Sequence, residues 1–117
     1  ANCGDCRGIV GSLGRDDLAI AQISKDHTTA SVSERERVEA SGGQVEFKFD
    51  TWRVGQVGLQ VTRSIGDVDV KPFGVTSEPE VVAFDLREGD DFLVLASDGL
   101  WDVMTNEDVR GILRDTV

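Results

Sequence analysis

Two carboxylates, Asp98 and Asp102, stand four residues apart at the end of the run Asp90-Asp91-Phe92-Leu93-Val94-Leu95-Ala96-Ser97-Asp98-Gly99-Leu100-Trp101-Asp102. If Leu100 to Met104 form a helical turn, both acids lie on one face. Carboxylates held close together repel, and a hard, oxygen-seeking cation such as Mg²⁺ or Mn²⁺ turns that repulsion into attraction. The plainer reading is a strand end with solvated acids, and this segment alone leaves both open. What must position the pair is the apolar run before it. Phe92 to Ala96 is too short for a helix and includes β-branched and aromatic residues, so it reads as a strand buried on both faces in the middle of a fold. Gly99 permits the sharp backbone departure that aims Asp98 outward.

The stretch from Asp91 to Glu107 does not stand alone. Ahead of it come Ala1-Asn2-Cys3-Gly4-Asp5-Cys6-Arg7, then Gly58-Leu59-Gln60-Val61-Thr62-Arg63-Ser64-Ile65-Gly66-Asp67, followed by Lys71-Pro72 and Glu78-Pro79-Glu80-Val81. In this order the segments resemble the signature blocks of the metal-dependent protein serine/threonine phosphatases of the PP2C (PPM) family. Together with Asp50-Thr51-Trp52-Arg53-Val54, the wording is closest to the phosphatase half of plant proteins that join a kinase to a PP2C domain.

The resemblance implies hydrolysis of phosphoserine and phosphothreonine in proteins by a metal-activated water, with Mg²⁺ or Mn²⁺ as two core ions and a third, weaker ion nearby. Asp98 matches the family aspartate that ligates the core pair. Asp5 and Asp102 match positions associated with the weaker ion, although Asp5 taken alone reads as an Asx-type turn residue. No side chain is assigned as acid or nucleophile, and no further cofactor is implied. The family's Asp-Gly-His-Gly segment and its later Asp-Asn pair do not occur, so residues 1–117 are expected to be the central part of a single PP2C-type domain, truncated at both ends and inactive alone. The alternative is a non-catalytic PP2C-like module that binds partners. A fused kinase domain in the parent chain and a phosphoprotein substrate follow from the same resemblance. In plant PP2Cs that bind abscisic-acid receptors, a flap tryptophan stands four residues before the Arg-Val matching Arg53-Val54. Here that place is Phe49, so binding of an abscisic-acid receptor through that lock is not expected.

Composition is consistent with these expectations. Twenty-two acids against twelve bases give a net charge of -10, which opposes nucleic acid and anionic membrane as partners. No apolar stretch of membrane-spanning length occurs. Cys3 and Cys6 form a C-x-x-C with His27 as the one histidine, far off in sequence. A zinc site would need two more soft or imidazole ligands, and a redox pair would sit at a strand-to-helix turn, so reduced, inert thiols are the preferred reading. Such usage fits a cytoplasmic or nuclear protein. His27 reads as a turn or core-edge residue. Arg63 and Asp67 read as framework, and Lys71-Pro72 rules out an EF-hand start at Asp67-x-Asp69.

The remaining pattern predicts α+β architecture. Ala1 to Gly4, Arg7 to Val10 and Leu18 to Ile23 read as strands, with a turn over residues 11–17. Ser31 with Glu34, and Ser33 with Glu36, offer capping boxes for a charged surface helix stopped by Gly42-Gly43. Gln44 to Phe49 alternates Val45, Phe47 and Phe49 as a half-buried strand that Trp52 to Val54 pairs with, and Val81 to Leu86 reads as another strand. Thr105 and Asp108 cap a last helix whose stripe of Val109, Ile112, Leu113 and Val117 packs on a sheet. Antiparallel strands with helices outside make a layered sandwich. The resemblance sharpens this to the PP2C arrangement, two antiparallel sheets flanked by helices, only partly present here.

Overall fold

The computed structural model describes residues 1–56 and 58–116. The fold is α+β, with a three-stranded and a two-stranded antiparallel sheet accompanied by helices. The chain divides into two compact units, one made of Ala1–Asn2, Cys6–Lys25 and the stretch from Val81 onward, the other of Cys3–Asp5 and Asp26–Glu80.

In the first unit, β1 (Arg7–Leu13) is the central strand, flanked by β2 (Leu18–Gln22) and, with a register shift after Gly11, by a strand at Asp90–Ala96. Ile9, Val10 and Leu18 are buried there together with Val109. The strand at Asp90–Ala96 is therefore an edge, not the middle, of the described sheet. It alternates in burial, leaving Leu93 and Leu95 59% and 70% exposed, because its outer face has no cover among the described residues. An apolar run states a preference for cover on both faces, and only the neighbours decide whether both are covered. Two further expectations change. Ala1 to Gly4 forms no strand beyond a bridge at Asn2, since Gly4 takes φ +123°. Residues 81–87 are irregular, leaving Val81, Val82, Phe84 and Leu86 exposed, because among the described residues no strand pairs with them.

The second unit opens with α1 (Val32–Ala40), capped by Ser31, whose Oγ accepts from the Glu34 N–H at 3.4 Å. Its end is a Schellman motif: the Gly43 N–H reaches back to Val38 O at 2.9 Å and the Gly42 N–H to Glu39 O at 3.0 Å, with φ +89° at Gly42. Gly43 has a second reason to be glycine, since a Cβ there would lie 2.2 Å from Phe73 O. The helix is not merely a surface element. Val38 is fully buried and joins Val54, Val70 and Val75 in a small core, flanked by Val45, Leu59 and Phe73.

Glu34 does not close the capping box. Its carboxylate, 5% exposed, turns inward to accept from Thr62 Oγ1 at 2.7 Å and from Arg63 Nε and Nη2, both at 2.9 Å. Burial pushes this carboxyl up, but the hydrogen bonds from Arg63 and Thr62 and the charges of Arg37 and Arg63 outweigh it, and the pKa falls from 4.5 to about 2. Arg37 continues the network to Gly74 O at 3.1 Å and Thr62 O at 2.9 Å, and Arg63 to Glu78 O at 3.1 Å. The expected framework role of Arg63 is what the geometry shows.

β3 (Val45–Lys48) and β4 (Thr51–Val54) form a hairpin closed by Phe49 and Asp50, which take φ 53° and 62°. Positive φ at both turn residues is type I′ geometry, which favours Asn-Gly. Phe49 therefore leaves the strand for the turn and is 89% exposed, and Phe47 is exposed as well, packing edge-on to Trp52 at 5.4 Å. The half-buried face expected for this strand reduces to Val45. Beyond it, residues 68–73 form a 3₁₀ turn that carries Lys71-Pro72, with the Lys71 ammonium donating to Ser64 O.

Two outcomes are expected in the intact protein. Glu34→Ala leaves Arg63 and Arg37 without their buried counter-charge and should cost about 3 kcal/mol or more in urea unfolding at pH 7. Because the folded pKa of Glu34 lies below its ordinary 4.5, its contribution is complete above that value and is lost as pH falls toward about 2. The gap between wild type and Glu34→Gln should therefore narrow across that window. The second concerns the turn: Phe49→Asn combined with Asp50→Gly supplies residues suited to positive φ and should raise stability by a few tenths to about 1 kcal/mol, read as a higher melting temperature.

Candidate functional site

The first unit presents the carboxylate pair as the spacing implied. Here the edge strand, β5 (Asp90–Ala96), ends at Ser97, and Asp98 opens α2 (Asp98–Trp101), a single turn whose C-cap is Asp102. The turn starts two residues earlier than expected because Ser97 O already accepts from the Leu100 N–H at 3.1 Å. The Asp102 N–H donates to Asp98 O at 2.8 Å, placing the two acids one helical turn apart. Both are exposed, and among the described residues neither carboxylate has a hydrogen-bond or ion-pair partner.

The turn is held from behind. Trp101 donates its indole N–H to Ala96 O at 3.0 Å and Arg7 O at 3.3 Å, carbonyls of residues paired across β1 and β5. The Arg7 guanidinium lies over the indole ring, 4.9 Å from its centroid, and donates to Asn106 Oδ1 at 2.7 Å. Next comes α3 (Asn106–Thr116), begun by the expected reciprocal cap: the Asp108 N–H donates to Thr105 Oγ1 at 3.1 Å, and the Thr105 N–H to Asp108 Oδ2 at 2.8 Å. This helix packs on β2 through buried Val109 and half-buried Leu113. Ile112, expected in the packing stripe, is exposed, and Val117 lies outside the described residues.

Asp5 belongs to the second unit, beside Gly4 in a bend. What fixes that bend is His27, which is 1% exposed. Its main-chain N–H donates to Gly4 O at 2.9 Å, while the Gly4 N–H donates to His27 Nδ1 at 3.2 Å. Because Nδ1 accepts, the ring proton sits on Nε2 and is directed at Glu80 Oε2, 3.0 Å away. His27 is thus a buried structural residue, as the turn-or-core-edge reading implied. Cys3 and Cys6 are free thiols, with Cys3 Sγ 3.8 Å from Thr76 O.

The chemistry of Asp98 and Asp102 suits a hard divalent cation: two exposed, uncommitted carboxylates within one turn. They fit as part of a shell. Among the described residues no group of three His, Cys, Asp or Glu side chains is arranged to hold a metal, so any complete shell draws on further donors. Sequence reading missed Trp101, Arg7 and Asn106. The signal available for Trp101 was chemical, since a partly buried indole N–H requires an acceptor.

Comparison with known proteins places this arrangement. The chain is 52% identical over all of its 117 residues to a protein kinase and PP2C-like domain-containing protein of Oryza sativa subsp. japonica, and 53% identical over the same length to one of Arabidopsis thaliana, spanning 17% of each. It is 47% identical over 97% of its length to probable protein phosphatase 2C 78 of Arabidopsis thaliana, of which it spans 26%. Among solved structures, a C. elegans sex determining protein superposes with a TM-score of 0.81 at 32% identity, over 95% of this chain and 26% of that one. A serine-threonine phosphatase 2C from Toxoplasma gondii gives 0.75 at 25% identity, over 95% and 40%. The family model described as protein phosphatase 2C matches residues 1–117, and the chain belongs to the PP2C family.

Proposed function

We propose that this chain is the central part of a metal-dependent protein serine/threonine phosphatase domain that hydrolyses phosphoserine and phosphothreonine in protein substrates. The observation that carries the reading is the exposed pair Asp98 and Asp102, free of internal partners, in a chain matched along its whole length by the PP2C family. Exposed carboxylates one helical turn apart repel modestly in water, and a divalent cation bound by them turns that repulsion into attraction.

Asp98 would hold the core pair of Mg²⁺ or Mn²⁺ ions, and Asp5 and Asp102 are each assigned, by motif position alone, to a weaker further ion. When bound, such ions neutralise charge on the phosphoryl group and make a water nucleophilic near neutral pH. The chain's own contribution is placement: α2 sets the direction of Asp98, and the doubly hydrogen-bonded Gly4 sets the bend that carries Asp5. A fused kinase domain is part of the proposal, supported by the two relatives named as kinase and PP2C-like proteins. So is a cytoplasmic or nuclear setting, supported by the free thiols. Recognition by abscisic-acid receptors is not part of it, because Phe49 stands where receptor-binding plant PP2Cs carry the flap tryptophan.

In the intact protein, Asp98→Asn keeps the shape of the side chain and removes its charge. Turnover of a phosphopeptide should fall roughly a hundredfold or more at every Mn²⁺ concentration, a loss of about 2.7 kcal/mol of transition-state stabilisation. Asp5→Asn should show a defect that shrinks as Mn²⁺ rises. Measuring kcat and KM over a Mn²⁺ series, with a small ester and a phosphopeptide, separates the two. Near-wild-type turnover of Asp98→Asn would sink the core-metal assignment, and absence of turnover in the wild-type protein itself would favour a binding module.

A further inference from the structure

We infer that Trp101 is a positioning residue for Asp98: its indole N–H, shared between Ala96 O and Arg7 O, fixes the turn that aims the metal-ligating carboxylate. This rests on the reading of Asp98 as a metal ligand given above.

The inference comes from what Asp98 lacks. Its carboxylate has no partner among the described residues, so no side-chain hydrogen bond orients it. Its direction depends on the main chain of α2, which is four residues long. A single helical turn is not stable by itself, since nucleation orders several residues for one hydrogen bond. Something outside the turn must hold it in place. Leu100 is half-buried, but an apolar contact resists separation without fixing rotation.

Trp101 supplies the directional restraint. Ala96 and Arg7 face each other across β5 and β1, so one N–H aimed between their carbonyls locks α2 to the end of a strand pair. The indole plane is fixed in turn by the Arg7 guanidinium over its face, 4.9 Å from the centroid. Arg7 is held by Asn106 Oδ1 at 2.7 Å, and Asn106 Nδ2 donates to Gln22 Oε1 at 3.0 Å. The chain Gln22, Asn106, Arg7, Trp101, Ala96 thus links β2, α3, β1, α2 and β5, all within one compact unit. Outer groups that orient a metal ligand set affinity, because a ligand that must be reoriented on binding loses part of the interaction.

The test uses the intact phosphatase with Trp101→Phe, which keeps an aromatic ring to lie beneath Arg7, removes the N–H donor and shortens the ring system. Two quantities are read: the Mn²⁺ concentration giving half of the metal-induced rise in melting temperature, and kcat and KM for a phosphopeptide over a Mn²⁺ series. The half-saturating Mn²⁺ concentration should rise roughly tenfold by both readouts, with kcat at saturating Mn²⁺ within about threefold of wild type, a difference of less than one factor of ten in barrier terms. A purely structural tryptophan would lower the metal-free melting temperature and leave half-saturation unmoved, and that result overturns the inference. If Trp101→Phe does not fold, Arg7→Met serves: it removes the cation that fixes the ring and leaves the indole N–H and both carbonyls. It should shift half-saturation in the same direction by a smaller factor, and no shift overturns the inference. Asp98→Asn run alongside separates the levels. Loss of the metal response there with an unmoved Trp101→Phe refutes the positioning role alone, whereas an intact metal response in Asp98→Asn refutes the ligand reading and the inference with it.

Discussion

A single buried carboxylate organises the second unit. Between Leu59 and Glu80 the backbone forms isolated bridges and a 3₁₀ turn but no extended ladder, so its polar groups need partners from elsewhere. Glu34 provides the anchor by binding Thr62 and Arg63, and Arg37 on the same helix takes the carbonyls of Thr62 and Gly74. The core beside it is four valines with three half-buried neighbours. Non-directional burial on that scale does not specify how a long irregular segment is threaded, whereas a set of charge-assisted hydrogen bonds does. Ion pairing here both fixes geometry and contributes stability, because the hydrogen bonds and charges around Glu34 outweigh its desolvation and lower its pKa to about 2.

The first unit solves the corresponding problem with a sheet. Strand β1 is central and well buried, flanked by β2 and β5, on which α3 and α2 pack in turn. The carboxylate pair therefore sits on a short turn at the end of a rigid strand pair, where a loop can be precise without being long. The restraint comes from an aromatic donor and a stacked guanidinium, groups whose geometry is planar and directional. Leu93 and Leu95 remain exposed on the outer face of β5, as do Val82 and Phe84 in the irregular segment that precedes it. The chain spans 17% to 26% of the curated relatives described above.

Local signals in the sequence were sufficient wherever structure is decided by neighbours along the chain. The Ser31 cap, the Gly42-Gly43 stop, the Thr105 and Asp108 cap and the spacing of Asp98 and Asp102 all appear as expected, because each depends on hydrogen bonds within one turn of helix. Family membership was legible for a related reason: motif order is a property of the chain itself. The sequence pattern failed where the answer depends on what lies across from a residue. Phe92 to Ala96 has the composition of a fully covered strand and stands at an edge, and Val81 to Leu86 alternates like a strand yet has no paired neighbour among the described residues.

Glu34 shows the division most plainly. Its place three residues after Ser31 marks a capping box, and half of that motif forms, but its carboxylate goes to Thr62 and Arg63, 28 and 29 residues away. Nothing local announces such a partner. Trp101 is the same case at greater separation, donating to Arg7 across 94 residues. By itself the sequence determined the caps, the carboxylate spacing and the family, carried by short-range hydrogen bonding and by the order of motifs. Tertiary structure alone decided which buried polar groups meet and which strand faces are covered, because desolvated hydrogen bonds and apolar burial are set by what folding brings together across the chain.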